Sequence, residues 1–183
     1  MQIALIGGRH IHYRRKGPAG APLVVFANSL GTDLRIWNGV LNRLGGGIES
    51  ICYDKRGHGL SDAPSAPYTL DDHIDDLADL LGQLHVEQAI VCGISVGGMI
   101  ALGLAARRPE MVRGLILCDT AHKIGSDELW NQRIDQIRQH GIEGIADAIL
   151  ERWFSDSFRQ TASQAVAGWR NMLVRTPVEG YIG

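Results

Sequence analysis

The chain has 183 residues, of which 45% are hydrophobic and 21% charged, proportions typical of one globular domain. Its formal net charge of −2 gives no electrostatic basis for binding nucleic acid or a membrane surface. The sequence also predicts no signal peptide, no transmembrane run and no Cys/His spacing typical of a metal site.

The three cysteines, Cys52, Cys92 and Cys118, each lie in or at the end of a predicted strand. This is the usual placement of small buried hydrophobic side chains, and it suits a reducing environment. We therefore expect a cytoplasmic protein without a metal or other cofactor.

The first half of the chain alternates predicted strands and helices. Residues 3–6 and 10–14 form a hairpin around Gly7-Gly8, and residues 23–27 form an apolar strand that is covered on both faces. A helix runs from about Trp37 to Leu44, and a strand follows over residues 48–53.

A second helix begins at Thr69, which forms a capping box with Asp72. Apolar residues then recur at helical spacing and predict a buried face: Ile74, Leu77, Leu80, Leu81 and Leu84. The acidic residues of its first turns are interpreted as a solvated face: Asp71, Asp72, Asp75 and Asp76.

The most informative stretch is Gly93-Ile94-Ser95-Val96-Gly97. It follows an apolar run at residues 89–92 and precedes a helix-forming run at residues 99–106. A strand, a Gly-x-Ser-x-Gly turn and a helix in this order are typical of a nucleophile elbow, in which side chains at the two glycines would be too crowded. Ser95 is the candidate nucleophile, and the Val96 N–H is a candidate oxyanion donor.

Two earlier loops carry further candidates. The loop after residues 23–27 contains Leu30, whose N–H is the candidate second oxyanion donor. In the loop at residues 54–61, we expect Asp54 and Arg56 to form an ion pair and His58 to be structural.

A strand at residues 114–118 completes the alternation, which predicts an α/β fold with a mostly parallel sheet. Three helices follow, and we interpret them as a lid that places Trp130 and Arg133 at the substrate pocket. The predicted division is residues 1–125 as the core and 126–183 as the helical lid. The predicted lid helices span residues 126–140, 142–154 and 157–174.

Several motifs together resemble the α/β-hydrolase family. These are residues 28–32 with Trp37, the stretch Tyr53-Asp54-x-Arg56-Gly57-His58-Gly59-x-Ser61, and the elbow at residues 93–99. Four later stretches are similar to the 3-oxoadipate enol-lactonases of that family: residues 118–125, 130–134, 152–154 and 175–181.

The resemblance implies hydrolysis of 3-oxoadipate enol-lactone to 3-oxoadipate, a step of aromatic catabolism in the β-ketoadipate pathway. Ser95 would attack the lactone carbonyl, and the amides of Leu30 and Val96 would hold the oxyanion. Because this substrate carries a carboxylate, a cation near the lid is expected. The candidates are Arg133, Lys123 and His122.

The sequence departs from the family after the lid. In the family, the acid and the histidine of the triad follow two later strands, and no such strands occur in these 183 residues. We therefore expect an incomplete triad and an uncovered apolar sheet edge at residues 115–118, through which the chain could self-associate or bind a partner segment. Asp119 and His122 are the one internal alternative for the acid and base.

Two other functions remain open at this point. One is hydrolysis of another small ester, or of a carbon–carbon bond, on the same scaffold. The other is a ligand-binding fragment without catalysis, in which binding would be unaffected by Ser95→Ala.

Overall fold

The computed structural model describes residues 1–183, and its centre is a six-stranded sheet. The strand order across the sheet is β1-β2-β4-β3-β5-β6. The strands are β1 (Gln2–Ile6), β2 (Arg9–Lys16), β3 (Leu23–Ala27), β4 (Glu49–Tyr53), β5 (Ala89–Ile94) and β6 (Val112–Cys118).

The sheet is mixed, and its parallel half carries the predicted elbow. Strands β1 and β2 form the predicted antiparallel hairpin, and β2 is also antiparallel to β4. The pairs β3–β4, β3–β5 and β5–β6 are parallel, so the loops that leave β3, β4, β5 and β6 emerge at one edge. The α/β fold with a mostly parallel sheet is confirmed.

Strand β3 is covered on both faces because its side chains alternate between two hydrophobic clusters. Val25 and Ala27 belong to the larger cluster of 19 buried residues, whereas Val24 and Phe26 belong to a cluster of six on the other face. The smaller cluster also contains Cys52 and Cys92. A strand buried on both faces reads as a continuous apolar run, which is why its sequence shows no polar alternation.

Three helices flank the sheet: α1 (Asn38–Leu44), α2 (Leu70–Gln83) and α3 (Val96–Arg107). A short 3-10 turn, Leu34–Trp37, leads into α1. The capping box of Thr69 and Asp72 is present at the start of α2. The predicted apolar face of α2 packs in the larger cluster, with Leu84 partly buried beside it.

The prediction of a solvated acidic face on α2 is wrong for Asp76. Its side chain is 2% exposed and lies between Arg56 and Arg9, with closest contacts of 2.6 and 2.7 Å. Asp71 and Asp75 do lie at the surface, where both bind Arg107. Asp76 projects inward because the loop after β4 brings the guanidinium of Arg56 against this side of the helix.

Five helices follow β6, and no strand occurs among them, as predicted. The predicted helix at residues 157–174 is wrong as one element, because the chain breaks at Ala162 into two helices. A final short helix at Val178–Ile182 was not predicted. The five helices are α4 (Asp127–His140), α5 (Glu143–Trp153), α6 (Asp156–Thr161), α7 (Ser163–Val174) and α8 (Val178–Ile182).

Four of the five helices, α4, α5, α7 and α8, share a hydrophobic cluster of their own, which includes Ile137, Ile149, Leu173 and Tyr181. Leu30, from the loop after β3, packs against this cluster and connects it to the sheet. The division into a core and a lid at residue 125 stays a prediction.

Strand β6 lies at one edge of the sheet, as expected, and it exposes apolar side chains. Ile116 is 47% exposed and Leu117 is 44% exposed. None of the helices combines the length and the apolar character that crossing a membrane would require.

Candidate active site

Ser95 occupies the sharp turn between β5 and α3. Its backbone has φ +55° and ψ −123°, a conformation that residues with a side chain rarely adopt. The turn is fixed by two contacts with the chain around β6. The Ser95 N–H donates to the carbonyl of Cys118 at 3.1 Å, and the Thr120 hydroxyl donates to the carbonyl of Ser95 at 2.7 Å.

The two glycines around Ser95 are required by close backbone approaches. A Cβ at Gly93 would collide with the carbonyl oxygen of Gly97. A Cβ at Gly97 would collide with the carbonyl oxygen of Ala27 at the end of β3. The predicted crowding is therefore confirmed, and together with the strained serine it gives the site the geometry of a nucleophile elbow.

Two residues whose backbone amides have no acceptor in the protein line the same cavity as Ser95. Val96 is the first residue of α3, a position whose N–H has no acceptor within the helix. Leu30 lies in the loop after β3, and its N–H has no acceptor in the protein. The next amide, of Gly31, donates to Nε2 of His58 at 2.9 Å and holds this loop in place.

The loop after β4 is organised differently from its prediction. Asp54 does not pair with Arg56; its carboxylate accepts from the Leu34 N–H at 2.7 Å and lies 2.8 Å from Nδ1 of His12. Arg56 instead binds Asp76 on α2. The predicted ion pair is wrong because these two neighbouring side chains leave the loop on different sides, each toward its own buried partner.

His58 is buried and has a structural role, as expected. Burial lowers the pKa of its imidazole well below the ordinary value. The neutral ring accepts from Gly31 through Nε2, so Nδ1 carries the proton and donates to the carbonyl of Arg56 at 3.1 Å. His58 therefore joins the loops after β3 and β4.

A cavity of about 620 Å³ lies between the carboxyl edge of the sheet and the helices after β6. Its lining is mostly apolar, and Lys55, His58 and His73 also contribute to it. The structure brings all five predicted site residues together here: Leu30, Ser95, Val96, Trp130 and Arg133. A mostly apolar cavity with few convergent polar groups is typical of a small-molecule site.

Trp130 and Arg133 form one unit on α4. The indole Nε1 of Trp130 donates to the carbonyl of Ile124 at 2.6 Å. The guanidinium of Arg133 lies 4.8 Å from the centre of the Trp130 ring, within cation–π range. Burial raises the pKa of Tyr181 on α8, and the nearby Arg133 offsets part of that rise.

The remaining predicted cations lie elsewhere. Lys123 is exposed and pairs with Asp127 at 3.6 Å, and His122 is exposed. Neither lines the cavity. The sequence interpretation missed Lys55, which does line the cavity. The available signal was its position in the loop that follows a strand on the parallel side of the sheet, where ligand sites are usually found.

Ser95 also borders a second cavity of about 380 Å³, which is lined by Asp119 and aromatic residues that include Trp153 and Trp169. His122 does not line this cavity either, so the structure does not bring the Asp119–His122 alternative to Ser95. No histidine among residues 1–183 forms a hydrogen bond with the Ser95 hydroxyl. No group of three or more His, Cys, Asp or Glu side chains is placed to hold a metal ion.

A close backbone contact joins the last helix to the loop after β4. Gly57 and Gly180 approach so closely that a Cβ on either residue would collide with the backbone of the other. This contact holds α8, which includes Tyr181, against the loop that contains Lys55 and His58.

A nucleophile elbow on a mostly parallel sheet, beneath a helical layer, defines a class of hydrolytic folds. The chain belongs to the family described as the alpha/beta hydrolase fold, whose model matches residues 22–172.

Among curated relatives, the chain is 36% identical over 171 residues to 3-oxoadipate enol-lactonase 2 of Acinetobacter baylyi, covering 93% of this chain and 64% of that protein. It is 33% identical to enol-lactonase 1 of the same organism, covering 95% of this chain and 65% of that protein. The chain thus spans a little under two thirds of the length of these relatives.

Among solved structures, the enol-lactonase of Burkholderia xenovorans is 38% identical and superposes with a TM-score of 0.95. That comparison covers 99% of this chain and 70% of the enol-lactonase chain.

Proposed function

We propose that the protein is a serine hydrolase of small lactones or esters, and that its substrate is 3-oxoadipate enol-lactone. Ser95 is the nucleophile, and the amides of Leu30 and Val96 are the oxyanion donors. Trp130 and Arg133 bind the substrate. Opening the lactone would give 3-oxoadipate, a step of aromatic catabolism.

The observation that carries this proposal is the convergence of these five residues on one cavity. Ser95 lies in the sharp turn with a strained backbone. The backbone N–H groups of Leu30 and Val96 have no acceptor in the protein, so both are available to bind the oxyanion. Each such donor contributes roughly 3–4 kcal/mol to transition-state stabilisation in comparable sites. The enol leaving group is also easier to expel than an alkoxide.

The choice of substrate is supported by the relatives named as enol-lactonases, at 33–38% identity. Another small-ester or carbon–carbon hydrolase activity would use the same elbow. Comparison of turnover of the enol-lactone with turnover of para-nitrophenyl acetate distinguishes these activities. Ligand binding without turnover, unaffected by Ser95→Ala, would identify a non-catalytic binding protein.

The test of the nucleophile is labelling with a fluorophosphonate probe, followed by intact-mass spectrometry. A serine needs a general base for rapid reaction at neutral pH. Residues 1–183 place no base at the Ser95 hydroxyl, so labelling is expected where a base from outside these residues completes the site. There we expect one adduct on Ser95 and none in the Ser95→Ala variant, and Ser29→Ala, which changes another serine of the site region, should label like the parent. Absence of an adduct on folded protein would contradict a working nucleophile.

A second proposal concerns the sheet edge. Strand β6 has an unpaired backbone edge and exposes Ile116 and Leu117, so it can pair with a second copy of this chain or a partner segment.

A further inference from the structure

We infer that Lys55 selects substrates that carry a carboxylate, by presenting its ammonium group to the cavity that contains Ser95. The inference rests on the proposed function, because it assigns the charge preference of the same site. It concerns a residue outside the elbow, the oxyanion amides and the pair formed by Trp130 and Arg133.

The first argument is position. Lys55 follows the end of β4 by two residues and is 2% exposed, yet it is one of the residues that line the same cavity as Ser95, Leu30 and Val96. A lysine usually carries its charge to the surface on a flexible stem. Here the charge is held inside the protein, on a residue that borders the space that the substrate would fill.

The second argument is that the protein leaves this ammonium group under-satisfied. Nζ donates one hydrogen bond, to the carbonyl of Ser29 at 2.5 Å, although an ammonium group has three donors. No carboxylate lies within 4.0 Å of Nζ. The two acidic residues that favour its charge are engaged elsewhere, Asp54 with His12 and Asp33 with Arg35.

The third argument comes from the other groups that face the cavity. His58 and His73 are neutral near pH 7, because burial lowers the pKa of both and that of His73 to about 4. Tyr181 is also neutral, since burial raises its pKa. Arg133 is stacked on Trp130, and Asp127 faces Lys123. Lys55 is therefore the buried cation at this cavity whose N–H donors are not all used by the protein.

A substrate carboxylate would complete this arrangement. A buried charge without a partner is unfavourable, and a charge-assisted hydrogen bond to a carboxylate would supply one. Burial lowers the pKa of Lys55 from 10.5 to about 7. A bound anion would favour the protonated form, so binding should be accompanied by proton uptake near neutral pH.

The experiment compares adipate, a dicarboxylate, with adipamide, its neutral analogue of the same length, by titration calorimetry. At about pH 6, where Lys55 is protonated, we expect Lys55→Met to weaken adipate binding about tenfold or more, as for loss of a hydrogen bond to a charged group. Adipamide affinity should not change. Lys16→Met, at an exposed lysine on β2, is the matched control and should bind both ligands like the parent.

A second measurement needs no variant. Raising the pH from about 6 to about 9 deprotonates Lys55 and should weaken adipate binding to the parent protein but leave adipamide binding unchanged. Equal adipate affinities of parent and Lys55→Met, or pH-independent adipate binding, would overturn the inference. Fluorophosphonate labelling of Ser95 tests the proposed function separately, because it requires neither adipate nor Lys55.

Discussion

Two buried charged residues, Lys55 and Asp76, differ in how far the protein compensates their charge. Asp76 is held between two guanidinium groups, so its charge is compensated by the protein. Lys55 has one carbonyl as its partner, and its desolvation is reflected in a pKa lowered to about 7. A lysine that binds an anionic ligand has to lack a charged partner within the protein, and this lowers the folding stability of the protein.

That cost should depend on pH in a defined direction. Between about pH 7 and 10.5, the unfolded chain holds a proton on Lys55 that the folded chain lacks, so the contribution of Lys55 to the free energy of unfolding rises with pH in this window. We expect Lys55→Met to raise the free energy of unfolding most below about pH 7, with the gain shrinking by up to about 1.4 kcal/mol per pH unit above it.

Urea unfolding of both proteins at about pH 6.5 and about pH 9.5 measures this difference. Lys16→Met, which removes an exposed lysine, should show no such pH dependence. A stability difference between Lys55→Met and the parent that is the same at both pH values would contradict the lowered pKa.

Among the elements, helix α2 is fixed to the sheet by two kinds of interaction. Its apolar face packs in the larger cluster, and Asp76 binds Arg56 through Nε at 2.6 Å and through a second guanidinium nitrogen at 2.9 Å. Arg56 follows Lys55 directly, so this ion pair also positions the loop that carries the cavity lysine.

We expect Asp76→Ala to lower the free energy of unfolding by about 3–5 kcal/mol, because it leaves the buried guanidinium of Arg56 without its principal partner. The matched control is Asp79→Ala, an exposed aspartate in the same helix that forms no ion pair, with an expected change within about 0.5 kcal/mol. Chemical denaturation of both variants provides the comparison, and equal losses would show that the buried pair adds no stability.

The elements that could be predicted are those with local signals. The capping box at Thr69, the helical spacing of apolar residues on α2 and the two glycines around Ser95 all act within a few residues. The partners of Asp54 and Asp76 could not be predicted, because they depend on which side chains the folded loops bring together. The break at Ala162 lies inside an amphipathic run and has no glycine or proline to indicate it.

The sheet formed by residues 1–183 has one edge strand on each side, β1 and β6. Both edges expose apolar side chains, with Ile3 43% and Leu5 58% exposed on β1 and Ile116 and Leu117 exposed to a similar degree on β6. Unpaired apolar edges associate readily through backbone hydrogen bonds, and charged side chains at the edge oppose this.

We therefore expect Ile116→Lys to reduce self-association of the protein, measured by sedimentation velocity over a range of concentrations. Val40→Lys, at a residue of similar exposure on α1, is the control and should leave the distribution unchanged. A parent protein that sediments as a monomer at every concentration would contradict association through β6.

The contact between Gly57 and Gly180 has a consequence for how this sequence can vary. In most packed pairs, a larger side chain on one residue can be accommodated by a smaller one on its partner. Here both residues are already glycine and their backbones touch, so neither can become smaller. A mutational search for suppressors of Gly57→Ala should therefore find none at position 180, and the two positions should each tolerate only glycine, without covarying.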